Sequence, residues 1–118
     1  RLDTYINSTY HNSEGSVNKN QIAFEFIITS LVEQNIPVLL VGLPYNPVLI
    51  ERLATGQWDY YNQSINNYEQ INGVTVNDMI WSSDWIENDF NDFAHASKAG
   101  ESKFAETISP IIDSIIED

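Results

Sequence analysis

The residues with the clearest potential for chemistry lie in one short segment near the C-terminal end of the chain. In residues 91–100, Asn-Asp-Phe-Ala-His-Ala-Ser-Lys-Ala-Gly, Asp92 precedes His95 by three positions and a helix-forming run follows. A carboxylate at this spacing can hold an imidazole in one tautomer and leave its second nitrogen free as a base. The other histidine, His11, lies in a polar N-terminal stretch. The segment therefore predicts an acid–base pair formed by Asp92 and His95.

The same two residues also fit a simpler structural role. His95 would then be a solvated loop residue, and Asp92 would accept hydrogen bonds from backbone amides in a turn, as aspartates commonly do. The order of the surrounding elements, two strands before the segment and a final helix after it, favours the catalytic interpretation.

Acidic residues cluster around this segment and suggest a calcium loop as an alternative. The cluster comprises Asp84, Glu87, Asp89 and Asp92. The EF-hand pattern fails, because Phe93 occupies the third ligand position counted from Asp89 and no glycine turns the loop. Two histidines and no cysteine also make a zinc site a poor fit. We expect a solvated acidic loop and no metal site.

Two tryptophans flank the predicted base. Trp81 and Trp85 follow the second predicted strand and precede Asp92. They are suited to line a pocket for an acyl chain or a sugar face, and packing at the edge of a sheet explains them equally well. Both interpretations remain open at the level of the sequence.

The composition narrows the class of partner. The 118 residues carry 17 acidic and 5 basic side chains, a formal net charge of −12, and 42% of them are hydrophobic. Such a globular but strongly acidic chain repels phosphate groups, which argues against nucleic acid and anionic lipid as partners. The absence of cysteine excludes disulfides and thiolate catalysis. No apolar run approaches the length of a membrane span.

Alternating helix and strand patterns follow a polar lead-in, residues 1–20. Apolar residues recur at helical spacing from Gln21 to Gln34, and residues 36–43 form an almost continuously apolar run typical of a strand buried on both faces. Asn46 and Pro47 then provide a cap and a first-turn proline for a short helix that extends to Ala54.

The second half of the chain repeats this alternation. We predict a helix over residues 58–71, a strand over residues 74–80, a loop from Trp81 to Ala96, and a final helix from about Ser97. The apolar positions expected to be buried in the final helix are Phe104, Ala105, Ile108, Ile111, Ile112 and Ile115. Pro110 interrupts this pattern, which predicts either a kink or two abutting helices.

This order of elements is typical of a layered α/β domain with a parallel sheet, here formed by residues 21–118. Two strands cannot cover helices on both faces. Either residues 1–20 hide further strands, or part of the sheet lies outside this chain, which is the more economical explanation. We also read the start at Arg1 as that of a fragment. An incomplete sheet predicts that a companion segment or self-association covers its exposed edge or face.

Several of these features together resemble the C-terminal half of an SGNH (GDSL-type) hydrolase. They are the run Pro37–Tyr45, the pair Tyr61-Asn62, the strand Val74–Asp78, and Asp92-x-x-His95 with Gly100. The resemblance covers roughly residues 20–118. It implies a three-layer, flavodoxin-like fold and serine-based hydrolysis or acyl transfer, with no cofactor. Asp92 would orient the ring and His95 would act as the base, on an ester or acylated-carbohydrate substrate.

The chain also departs from the family pattern. Phe93 and Ala96 replace the Gly and Pro that often follow the family's Asp and His, which indicates a divergent branch. The Gly-Asp-Ser nucleophile block and the Gly-x-Asn-Asp block are missing, and neither Gly15-Ser16 nor Asn77-Asp78 replaces them. We therefore expect the nucleophile on sequence outside this chain. The alternative is a non-catalytic α/β binding or interaction module that has kept the fold.

Overall fold

The computed structural model describes residues 14–53, 56 and 58–117, so His11 and the first thirteen residues of the expected lead-in lie outside the described part. The elements, in chain order, are helix α1 (Glu14–Glu33), strand β1 (Val38–Gly42), helix α2 (Pro47–Arg52), helix α3 (Asp59–Glu69), strand β2 (Val74–Asp78), a 3₁₀ helix (Glu87–Asp89) and helix α4 (Lys98–Glu117). In the described residues, β1 and β2 form a two-stranded parallel sheet. The predicted mixed α/β class is therefore confirmed.

Helix α1 begins earlier than expected. Residues 14–20, assigned to an irregular lead-in from the sequence, are helical. At the other end, Asn35 adopts a left-handed conformation with φ of 59°. The N–H of Asn35 donates to the Val32 carbonyl and that of Ile36 to the Leu31 carbonyl, both at 3.0 Å. This is the Schellman arrangement, with Asn in the position that glycine usually takes.

The chain divides into two compact units, and the first contains α1 and α3, within Arg1–Val38 and Leu53–Thr75. Ile28 is buried on α1, and the Phe24 ring meets the Tyr68 ring edge-on, with ring centroids 5.4 Å apart. Other apolar side chains on this helix point to solvent. Ile22 is 67% exposed and Phe26 is 73% exposed. The amphipathic pattern of α1 is therefore only partly satisfied within this unit.

The second unit spans Leu39–Arg52 and Val76–Asp118 and contains the core that supports the predicted site. This core consists of the buried residues Met79, Trp85, Phe90 and Ile108, with Leu39, Val41, Phe104 and Ile111 packed against it. Leu39 and Val41 lie on one face of β1 by the two-residue period of a strand. Phe104, Ile108 and Ile111 lie on one stripe of α4.

Helix α4 differs from its sequence prediction in two respects. It is one continuous helix with Pro110 inside it, so two abutting helices are not formed. Ala105 and Ile112, which were expected to be buried, are exposed. The apolar stripe that packs on the core is therefore narrower than the hydrophobic pattern suggested.

Candidate active site

Asp92 and His95 form the pair that their spacing predicts. One carboxylate oxygen of Asp92, Oδ1, accepts hydrogen bonds from the backbone N–H groups of Ala94 at 2.9 Å and His95 at 2.7 Å. The other, Oδ2, lies 2.7 Å from Nδ1 of His95. The carboxylate thus caps the turn with one oxygen and holds the imidazole with the other. The structural role and the orienting role, which were alternatives from the sequence, coexist.

The charge and tautomer of the pair follow from these bonds. The backbone N–H groups of Ala94 and His95, with the His95 ring, lower the pKa of Asp92 from its ordinary value to about 2. Asp92 is therefore a carboxylate at neutral pH. A neutral imidazole that donates from Nδ1 to this carboxylate has an unprotonated Nε2, which is the form that accepts a proton from a hydroxyl.

Asn46, from a distant part of the sequence, holds this turn with its backbone and its side chain. The backbone N–H of Asn46 donates to the Phe93 carbonyl at 3.1 Å, and its side-chain Nδ2 donates to the Asp92 carbonyl at 3.1 Å. Its Oδ1 accepts from the N–H of Val48 at 3.0 Å, as predicted for a helix cap. Asn46 is buried. The sequence identified only the cap and missed the link to the turn.

Hydrogen bonds across the base of the loop close it into a compact unit. The N–H of Asn91 donates to the His95 carbonyl at 2.8 Å, and Nδ2 of Asn91 donates to the Ala96 carbonyl at 3.3 Å. Phe90 and Ala96 form an antiparallel bridge. The turn that carries His95 therefore has both ends joined.

A second aspartate, Asp89, precedes the turn in the sequence and is almost fully buried. Its carboxylate accepts the N–H of Ile86 at 3.0 Å and pairs with the ammonium of Lys103. Lys103 also donates to the Asp84 carbonyl at 2.8 Å and lies 5.4 Å from the centre of the Trp85 ring. Burial raises the pKa of Asp89, but the bonds from Lys103 and Ile86 outweigh burial and lower it.

The acidic residues of the cluster thus differ in their partners and in their exposure. Asp89 pairs with Lys103, Asp92 pairs with His95, and Asp84 and Glu87 are exposed. Within residues 14–53, 56 and 58–117, no three His, Cys, Asp or Glu side chains converge as a metal site would require.

The start of α4 is fixed against Asp89 by close backbone packing. The N–H of Ser97 donates to the Asp89 carbonyl at 2.8 Å, and Oγ of Ser97 accepts the N–H of Gly100 at 3.2 Å while donating to the Asn88 carbonyl at 2.8 Å. A Cβ at Gly100 would overlap the carbonyl oxygen of Asp89. Only glycine fits here, which gives a physical reason for Gly100 at this position.

A cleft of about 310 Å³ lies beside His95 within the second unit. Its lining residues are Leu43, Pro44, Trp85, Phe90, Ala94, His95, Ala96, Gly100, Glu101 and Phe104. Of the two tryptophans proposed for a pocket, Trp85 belongs to this lining and also to the core. Trp81 is 46% exposed and is not among the lining residues.

Both side chains of the pair are open to solvent. The His95 side chain is 82% exposed and that of Asp92 is 47% exposed. No serine, threonine or cysteine lines the cleft in the part of the chain that the structure describes. The described residues therefore place an exposed Asp92–His95 pair beside a cleft whose lining has no hydroxyl or thiol side chain.

Across the described helices, none is long and apolar enough to cross a lipid bilayer. Comparison of the chain with protein-family models, curated proteins and solved structures finds no match.

Proposed function

We propose that this chain supplies the base and the orienting acid of a serine hydrolase or acyltransferase of the SGNH type. The observation that carries the proposal is the double use of the Asp92 carboxylate, which fixes both the turn and the ring of His95. The parallel strand pair and the final helix after Asp-x-x-His support a flavodoxin-like, three-layer domain as its setting. The reaction is cleavage or transfer at an ester or O-acyl group.

In this mechanism His95 is the general base. Its Nε2 takes the proton of a serine hydroxyl as the oxygen attacks the acyl carbon, and later returns that proton to the leaving alcohol. Asp92 holds the Nδ1–H and stabilises the imidazolium that forms in between. No metal or organic cofactor is needed for these steps.

The serine of this mechanism comes from outside the lining of the cleft. We propose that it belongs to a companion segment that completes the sheet and brings the hydroxyl to Nε2, either in a longer polypeptide or in a second chain. Such a segment would reduce the 82% exposure of the His95 side chain. It would also cover apolar surface that the two-stranded sheet leaves open.

The test is ester hydrolysis by the complete natural polypeptide, assayed with p-nitrophenyl acetate. Removing the base by His95→Ala is expected to lower kcat roughly 10³-fold. Asp92→Asn is also expected to lower it, because the amide Nδ2 would donate to Nδ1 and leave the proton on Nε2, where the ring can no longer accept one. His11→Ala, at the other histidine, is the matched control and is expected to leave turnover unchanged.

Two results would contradict the proposal. Wild-type turnover in both His95→Ala and Asp92→Asn would show that the pair is not catalytic. Stoichiometric labelling of a serine in the isolated 118-residue chain by a fluorophosphonate would show that the chain has its own nucleophile. A complete polypeptide with no ester-cleaving activity would favour the alternative, a non-catalytic α/β interaction module.

A further inference from the structure

The residues that line the cleft beside His95 indicate which kind of group can bind there. Five of its lining residues, Leu43, Pro44, Trp85, Phe90 and Phe104, present large apolar or aromatic surfaces. The alanines and the glycine of the lining add no polar side chain. A polar ligand such as a sugar needs several convergent hydrogen-bonding side chains, and apart from His95, Glu101 and the indole N–H of Trp85 this lining offers none. Transfer of an apolar group from water into this cleft is favourable in free energy.

The size of the cleft limits the group that fits. Its volume of about 310 Å³ lies at the lower end of the range for ligand sites, roughly 300–1,000 Å³. An apolar cavity of about half this volume is known to accept a benzene molecule. One aromatic ring or one short alkyl chain is therefore a suitable occupant, whereas a long acyl chain exceeds the space.

The charges around the cleft select against an anion. The side chains that carry charge near it are the carboxylates of Glu101, in the lining, and Asp92, bonded to His95. No lysine or arginine belongs to the lining among the described residues, and the ammonium of Lys103 is bound to Asp89 and to a carbonyl. An anion would meet repulsion without a compensating partner. Burying any charged group in apolar surroundings also costs free energy.

We propose that this cleft binds a neutral apolar group of the substrate, an aryl ring or a short alkyl chain, next to the base. The assignment rests on the proposed function and adds a substrate class to it: neutral esters with one small apolar moiety. Dicarboxylic half-esters and phosphorylated esters are excluded from the cleft, as are acylated sugars placed with the sugar inside. His95 at the edge of the cleft would then face the bond adjoining that group.

The test is binding by the 118-residue chain, followed by NMR at the backbone amides of Gly100 and Glu101 and the indole N–H of Trp85. Two probes share one ring: benzyl alcohol is neutral, and benzoate is an anion at neutral pH. Benzyl alcohol is expected to give saturable shifts at these groups and to bind at least about 4-fold more tightly than benzoate, from repulsion by a carboxylate about 5 Å away in water.

Variants connect the binding to the cleft. Glu101→Gln is expected to reduce the preference for benzyl alcohol by about 3-fold, because one repelling carboxylate is removed. Glu106→Gln removes the same charge from an exposed position of α4 outside the cleft, and it is expected to keep the preference unchanged. Ala94→Leu fills the cleft and is expected to abolish the shifts. Leu43→Ala, at a side chain that is 59% exposed, is expected to weaken binding without disturbing the fold.

Three outcomes would overturn the inference. The first is the absence of saturable shifts with benzyl alcohol, and the second is benzoate binding as tightly as benzyl alcohol. The third is a change of the cleft signals on dilution without ligand, which would show that a second copy covers the cleft. Because binding needs no turnover, each of these leaves the proposed function untouched, and loss of the proposed function in the kinetic test leaves the binding result untouched.

Discussion

Two aspartates three positions apart show how burial decides what a carboxylate does in this molecule. The Asp89 side chain is 4% exposed and pairs with Lys103, whereas the Asp92 side chain is 47% exposed and pairs with His95. Each also accepts a backbone N–H from its own turn. The buried carboxylate pairs with a lysine and also accepts the N–H of Ile86, so it holds the backbone in place. The exposed carboxylate pairs with an imidazole that is itself open to solvent.

The segments that contain the two aspartates are also held by hydrogen bonds to neighbouring elements. The carbonyl of Asp89 accepts the N–H of Ser97 at the start of α4, and the turn of Asp92 is tied through Asn91 and Asn46. The backbone of the buried aspartate therefore helps to fix the segment that carries Asp92 and His95. We therefore expect changes around Asp89 to affect mainly stability, and changes at Asp92 to affect mainly the proposed activity.

The largest effect on stability is expected at the contact between Gly100 and Asp89. Helix propensity alone would make Gly100→Ala stabilising by about 1 kcal/mol. The overlap with the Asp89 carbonyl reverses the sign, and we expect a loss of about 3 kcal/mol in the free energy of unfolding. Urea denaturation measures this change. Ala99→Gly, at the exposed neighbouring position, is the control and should cost only about 1 kcal/mol.

A gain of stability in Gly100→Ala would mean that α4 does not pack against the Asp89 carbonyl as described. The start of α4 would then lack the close contact with the Asp89 carbonyl that a Cβ at Gly100 would disrupt.

The second-largest effect on stability is expected from replacing the buried aspartate, and the same change at Asp92 provides the comparison. Asp89→Asn leaves Lys103 without its carboxylate, and we expect a loss of about 2 kcal/mol, less than for a fully buried pair because the Lys103 side chain is 33% exposed. Asp92→Asn should cost less stability than Asp89→Asn, since its carboxylate is solvated. Denaturant titrations of both variants, with Lys103→Met to complete a double-mutant cycle, measure the difference. Equal losses at both positions would remove the distinction between them.

A smaller effect is expected at Asn46, which joins the turn to the start of α2. Asn46→Ala removes the donor to the Asp92 carbonyl and the acceptor for Val48, with an expected loss of about 1.5 kcal/mol. Asn46→Asp keeps the cap acceptor and loses only the side-chain donor. Amide hydrogen exchange at His95 should therefore accelerate in both variants, whereas exchange at Val48 should accelerate only in Asn46→Ala. Unchanged exchange at His95 would show that Asn46 does not hold the turn.

The smallest effect is the titration of Asp92 itself. Its pKa in the folded chain is about 2, below the unfolded value of about 4. The ionised carboxylate therefore stabilises the fold above about pH 4, and this contribution is lost as the pH falls through about 2. The side-chain carboxyl carbon shift of Asp92 in NMR follows this directly. A midpoint near 4 would mean that the bonds from Ala94 and His95 are not kept in solution.

Local patterns predicted much of what is local. The apolar run after Pro37 became β1, Asn46-Pro47 became the cap and first turn of α2, and the Asp-x-x-His spacing placed Oδ2 of Asp92 on Nδ1 of His95. The start of α1 at Glu14 was missed because residues 14–20 contain a single large apolar residue, Val17, and give no helical period.

The supports of the site were missed for a different reason. Asn46 reaches the Asp92 carbonyl across 46 positions, and Lys103 reaches Asp89 across 14. Such contacts depend on how strands and helices pack, and no local period records them. Gly100 was recognised as part of a motif, but the carbonyl that requires it becomes visible only when the loop and α4 are seen together.

The apolar side chains that α1 leaves uncovered have a practical consequence for handling this protein. At neutral pH the charge of −12 makes copies of the chain repel one another, which counteracts the adhesiveness of Ile22 and Phe26. That repulsion vanishes near the isoelectric point, about pH 4.2. The protein should therefore aggregate when the pH is lowered through the isoelectric point. The titration of Asp92 requires dilute protein and a rapid change to a lower pH.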